Sequence, residues 1–152
     1  MQLPVDTVDL QMRSEGGLEN VERFLENAGP LYNISCNIQN IKPNTIDVLI
    51  DKFVPVDGGS FDLKQPLSKD QLERLVLKCE MSDKKVNVTV SPEGFTYGSD
   101  VTDFFDFDKH YPNNSTIRAF YGKSLVIREG KKLDLFVSAR RNMFEWEWCE
   151  ML

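Results

Sequence analysis

The chain has 152 residues and a formal net charge of −6 at pH 7, with 41% apolar and 28% charged residues. This length suits one domain, and the composition is that of a globular protein with its own core and not of a disordered chain. There is no apolar run of about 18 residues, and residues 1–12 lack the basic start and apolar stretch of a signal peptide. We therefore expect residues 1–152 to form a single domain of a soluble, cytoplasmic protein with no membrane contact.

The three cysteines Cys36, Cys79 and Cys149 are widely spaced, and no CxxC pair occurs. An odd, sparse set in a chain without an export signal predicts reduced thiols. Cys36 and Cys79 fall within apolar patterns, so we expect both to be small core residues.

The N-terminal third predicts one helix and three strands, the first of them a short strand over 5–12. Apolar residues recur at helical spacing over 16–28, and they alternate with polar residues over 32–38. A turn at 42–44 and further alternation over 46–50 predict a strand that returns antiparallel to the first. Residues 54–66 carry proline and glycine and predict a loop around a short extended piece.

The second helix has the clearest sequence signature. Ser68 is an N-cap residue and Gln71 completes a capping box, which predicts a helix over residues 68–79. Residues 86–90 then predict a strand, and a turn leads to a partner strand at 95–97. Residues 21–24 of the first predicted helix resemble residues 72–75 of the second, and each predicted helix precedes a predicted hairpin. This similarity leaves both an internal duplication and chance open.

Four further strands at 117–121, 125–128, 133–139 and 143–149 predict a C-terminal meander. In its last hairpin, a two-residue loop pairs Ala139 with Phe144, Val137 with Trp146 and Leu135 with Trp148. This phase predicts that both tryptophans are core residues. The resulting fold class is α+β, with a mostly antiparallel sheet of about seven or eight strands and two helices packed on one side.

Charge is unevenly distributed along the chain. Residues 1–30 carry a net charge of −4, residues 99–112 carry −3, residues 113–142 carry +5 and residues 143–152 carry −3. The overall acidity disfavours nucleic acid and anionic membranes as partners, and it favours a basic protein.

The segment from residue 100 to residue 111 is the predicted partner-binding site, because its acids alternate with large aromatic rings. As a strand or as a helix, it leaves at least one ring, foremost Phe105, beside carboxylates at the surface. Acids that steer a basic partner and rings that hold it are what a protein interface needs. The predicted site residues are Asp100, Asp103, Phe104, Phe105, Asp106, Phe107, Asp108 and Tyr111.

These features predict a non-catalytic protein-binding module, of the acidic inhibitor type found among immunity proteins, antitoxins and phage-encoded blockers. No catalytic residue, metal or cofactor is predicted, and the oligomeric state stays open. One alternative is a carboxylate- or metal-dependent enzyme that uses the Asp100–His110 cluster, although its spacing is not that of a calcium loop. A second alternative is an anion or RNA binder that uses the basic meander at 113–142.

Overall fold

In a computed structural model of the chain, the described residues are 7–10, 18–27, 29–37, 41–96, 99, 101–110, 115–120, 123–128, 131–140 and 143–150. The strands are β1 (Thr7–Leu10), β2 (Asn33–Cys36), β3 (Ser60–Leu63), β4 (Asn87–Val90), β5 (Ser115–Phe120), β6 (Lys123–Arg128), β7 (Asp134–Arg140) and β8 (Met143–Cys149). The helices are α1 (Leu18–Asn27), α2 (Pro43–Lys52), α3 (Lys69–Ser82) and the single turn α4 (Phe107–His110), which follows a 3-10 turn at Val101–Asp103.

The eight strands form one mixed sheet in the order β1-β2-β3-β4-β8-β7-β6-β5. Strands β1 to β4 are mutually parallel, and all pairs from β4 onward are antiparallel. The predicted α+β class is therefore confirmed. The expectation of a mostly antiparallel sheet is wrong for the N-terminal half, because a helix separates each pair of successive strands there and parallel pairing needs such a crossover.

The N-terminal half is built from repeated strand–helix units. In-register positions Thr7, Asn33, Ser60 and Asn87 follow one another at intervals of 26 or 27 residues. Right-handed crossovers between neighbouring parallel strands place the three helices on one face, and α2 contacts both α1 and α3. This stacking is typical of solenoid repeats. The two similar helices are α1 and α3, two units apart, and one strand follows each of them, not the hairpin that we expected.

The predicted strand at 46–50 is wrong, because these residues belong to α2. Pro43 stands at the first helical position, where a missing N–H costs nothing, so the predicted turn is a helix start. The buried positions Thr45, Ile46, Leu49 and Ile50 follow helical spacing. Ile46 and Ile50 are four residues apart, and this spacing fits both the period of two of a strand and the period of 3.6 of a helix. So short a segment therefore does not distinguish a strand from a helix.

Helix α3 begins as the sequence predicts and ends three residues later than expected. The Ser68 Oγ accepts a hydrogen bond from the Gln71 N–H at 3.1 Å, and the Ser68 N–H donates to Gln71 Oε1 at 3.0 Å. The helix ends where Asp83 adopts a left-handed conformation. The predicted partner strand at 95–97 is wrong at Phe95, which lies in no strand, whereas Tyr97 is outside the described residues.

One hydrophobic core fills the space between the sheet and the helices. The predicted meander and its last register are confirmed, and Trp146 and Trp148 are buried as expected. The Trp148 indole N–H donates to Glu80 Oε2 of α3 at 2.8 Å, which fixes the last strand against a helix from the repeat half. Cys36 and Cys79 are buried thiols, also as predicted.

No helix among the described parts of the chain is long and apolar enough to cross a membrane.

Candidate functional site

The segment at 101–110 crosses the helix side of the sheet and covers β8. Phe105 is 2% exposed and Phe107 is 3% exposed. The Phe105 ring meets Trp146 edge to face with centroids 5.4 Å apart, and the Phe107 ring stacks on Trp146 at 6.1 Å. The segment thus occupies the position that a fourth helix would take in a longer stack, and its two rings complete the core.

The expectation that Phe105 is an exposed anchor is therefore wrong. The segment forms a 3-10 turn and a single helical turn. It is neither the regular strand nor the regular helix for which we predicted an exposed ring beside carboxylates. Phe104 is half-buried against Phe144, and Asp103 and Asp106 are exposed. Asp100 and Tyr111 lie outside the described residues, as does the side chain of Asp108. The role of this segment in partner binding stays a prediction, and it now depends on the exposed carboxylates of Asp103 and Asp106.

The only histidine lies beside α3. His110 Nε2 lies 3.2 Å from Glu73 Oε1, and Lys109 Nζ lies 3.4 Å from the same oxygen. The His110 side chain is only 12% exposed, so this contact is partly shielded from water. Within the parts of the chain that the structure describes, no three His, Cys, Asp or Glu side chains are grouped as metal ligands.

The sheet surface opposite the helices forms a second candidate, which we call the open face. Along each central strand, buried residues alternate with half-buried or exposed ones, so the two sets point to opposite faces. Among the described elements, none packs on this second set. The open face comprises Asn33, Ser35, Ser60, Asp62, Asn87, Thr89, Phe136, Ser138, Glu145 and Glu147.

Register brings the acids of the open face together at its centre. Asp62 lies opposite Thr89, and Thr89 lies opposite Glu145 on the next strand. Glu147 is two residues further along the strand that holds Glu145, and it therefore shares the same face. Lys64 Nζ lies 3.7 Å from Asp62 Oδ1. The middle of the open face is therefore acidic.

An aromatic ring lies beside these carboxylates. Phe136 on β7 is directly opposite Glu147 on β8, and on its other side it is opposite Leu125 of β6. Phe136 is half-buried, and Leu125 is buried although it does not belong to the main core. Sequence reasoning missed this pair. The signal that reveals it is the phase of Phe136, which alternates with the core residues Leu135 and Val137.

A shallow groove of about 670 Å³ lies where the parallel strands end. Its walls come from the connections after β2, β3 and β4, and they carry Lys42, Lys64 and Glu93. Gln65 spans two of these connections, because its side-chain amide donates to the Ile41 carbonyl at 2.6 Å and accepts from the Ile41 N–H. The wall of the groove is thus held by hydrogen bonds within the protein.

The basic meander is only partly described. Lys131 and Lys132 are exposed, and Lys132 Nζ lies 3.3 Å from Glu150 Oε1. The side chains of Arg118, Lys123 and Arg128 are outside the described residues. The use of this region for an anion or for RNA stays a prediction.

Comparison with protein-family models, with curated proteins and with solved structures gives no match for this chain. The functional interpretation therefore depends on the geometry above.

Proposed function

We propose that this protein is a non-catalytic binding module that holds a basic protein partner on its open face. The observation that carries the proposal is the position of Phe136 beside Glu147 and close to Glu145, on a sheet surface that no described element covers. Stacked strand–helix repeats commonly present such a sheet surface to their partners. The inhibitor-type function predicted above, with a basic target, remains the most specific form of this proposal.

Each component of the open face has a separate role in this mechanism. Asp62, Glu145 and Glu147 attract a positively charged surface and accelerate the encounter. The half-buried Phe136 supplies an apolar contact whose burial slows dissociation. The sheet is continuous and hydrogen-bonded across these strands, so the surface is preorganised and loses little entropy on binding.

The test uses a synthetic peptide of alternating arginine and leucine as the probe, and a peptide of alternating glutamate and leucine as its charge control. We expect the arginine peptide to shift the backbone amide NMR signals of β3, β4, β7 and β8, and the glutamate peptide to shift none of them. We expect the affinity to fall by roughly tenfold or more between low and moderate salt, because attraction between exposed charges is screened.

A matched pair of variants separates the open face from the segment that the sequence predicts. Glu145→Lys with Glu147→Lys reverses two charges on the open face, and Asp103→Lys with Asp106→Lys reverses two on the 101–110 segment. We expect the first variant to lose at least about tenfold in affinity and the second to bind almost normally. If only the second loses affinity, the interface is the 101–110 segment. If neither changes it, the proposal fails.

A further inference from the structure

The described strands form a sheet with two edge strands, and these lie at its opposite ends. Strand β1 is the first strand in the spatial order and β5 is the last. Among the described strands, none pairs with the outer side of either one. An unpaired edge exposes a row of backbone donors and acceptors and is a template for another strand.

The two ends carry opposite charge. Strand β1 and helix α1 together contain four acids, Asp9, Glu19, Glu22 and Glu26, against the single base Arg23. At the other end, β5 and β6 contain Arg118, Lys123 and Arg128 and no acid. The net charges of these element pairs are therefore −3 and +3, and the pairs lie at opposite ends of one sheet.

The acidic end also exposes an aromatic ring. On α1, Leu25 points into the core, and Glu26 lines a cavity of about 240 Å³ together with Lys42 and Asn44 near the start of α2. Residues two apart on a helix project in roughly opposite directions, about 200° from each other. Phe24, which is 39% exposed, therefore projects from the flank of α1 that faces away from α2 and toward the free end of the stack.

Strand direction allows the two ends to meet. Strand β5 is antiparallel to β6, β6 to β7, β7 to β8 and β8 to β4, so β5 runs in the same direction as β4 and β1. A second copy shifted along the sheet therefore places its β5 parallel to β1 while its helices stay on the same side. The sheet and its apolar face would then continue across the boundary between copies.

We propose that this protein associates with itself head to tail, by adding β5 of one copy to the β1 edge of the next. Charge disfavours a two-fold symmetric dimer, in which β1 would pair with β1 or β5 with β5, because either pairing would bring like charges together. Head-to-tail pairing brings opposite charges together. A head-to-tail contact uses two different surfaces, so it generates a ring or an open chain of copies and does not end at a dimer. The association uses the outer edges of β1 and β5, whereas the proposed function uses Phe136, Glu145 and Glu147 on β7 and β8, so each can fail without the other.

The experiment measures sedimentation velocity of the full chain and of two charge-reversed variants. The acidic end is reversed by Asp9→Lys with Glu22→Lys, and the basic end by Arg118→Glu with Lys123→Glu. We expect the wild type to associate with increasing concentration at low salt, with an affinity roughly tenfold weaker at about 0.3 M salt. Each variant alone has two ends of like charge, so each should remain monomeric.

The decisive sample is an equimolar mixture of the two variants, in which oppositely charged ends are available again. We expect the mixture to associate. A wild type that stays monomeric at low salt, a mixture that stays monomeric, or a variant that associates alone would each overturn the proposal. Melting temperatures establish that the variants are folded. Asp9→Lys with Glu19→Lys, or Arg118→Glu with Arg128→Glu, replaces a double variant that is not, because each of these also gives two ends of like charge. The open-face variant Glu145→Lys with Glu147→Lys serves as the control and should associate like the wild type.

Discussion

Phe136 lies directly opposite Glu147 across the pair of strands β7 and β8, on the sheet surface that the helices leave open. Phe105, the ring that the sequence favours as a surface anchor, lies on the other side of the same sheet against Trp146. The predicted surface ring is therefore buried, and Phe136, for which the sequence analysis made no prediction, is the half-buried ring on the open face.

Substitution of these two rings should have opposite effects. Phe105→Ala removes a core side chain that is 2% exposed, and we expect it to destabilise the protein by about 3–5 kcal/mol. Phe136→Ala should cost less stability but should increase the dissociation rate of the arginine–leucine peptide. Urea denaturation and stopped-flow binding measure the two quantities. Equal losses of stability would mean that Phe136 is also a core residue.

The N-cap of α3 should contribute measurably to stability. Ser68→Ala removes the acceptor of the Gln71 N–H and half of the capping box, and we expect the free energy of unfolding to fall by about 0.5–2 kcal/mol. Chemical denaturation monitored by circular dichroism gives the value. Ser35→Ala, at an exposed position of β2, is the control and should have almost no effect on stability. An unchanged midpoint for Ser68→Ala would contradict the role of the cap.

The contact between α2 and α3 should weaken in acid. A hydrogen bond from the Gln71 side chain and the neighbouring Arg74 guanidinium lower the pKa of the Asp47 carboxyl below its ordinary value of 3.8. A lowered folded-state pKa stabilises the protein above pH 3.8, and this contribution is lost as the pH falls through the lowered value.

Asp47→Asn should therefore destabilise the protein at neutral pH, and the difference from wild type should shrink as the pH falls below 3.8 and through the lowered pKa. Urea denaturation at a series of pH values measures this difference. Glu93→Gln, at an exposed turn after β4, is the control for loss of one carboxylate. A difference that is constant with pH would show that Asp47 acts through its shape and not through its charge.

The thiols should differ in reactivity. Burial in the core raises the pKa of Cys79 to about 12, so almost no thiolate is present at neutral pH. Cys36 is also buried, whereas Cys149 is half-buried on the last strand. We expect a thiol reagent such as dithionitrobenzoate to label one residue, Cys149, in the native protein and all three in denaturant. Native labelling that persists in Cys149→Ser would contradict this assignment.

Local signals in the sequence determined much of this fold. The capping box at Ser68 and Gln71 marks α3, because the groups that satisfy the first turn of a helix come from residues three apart. The last hairpin follows from its two-residue loop and from the alternation that places Trp146 and Trp148 on one face. These features depend on neighbours along the chain, so they are visible without a structure.

Tertiary structure decided which strands are adjacent and which face of the sheet is covered. Parallel pairing of β1 to β4 joins residues 26 or 27 positions apart, and nothing in a short window of sequence distinguishes it from a hairpin. The same is true of Phe105 and Phe136. Phe105 precedes an aspartate and Phe136 lies between Leu135 and Val137. Only the packing of the 101–110 segment over β8 buries the first ring while the second stays beside Glu147. The free energy of burying a ring depends on the surface it meets, and that surface comes from distant parts of the chain.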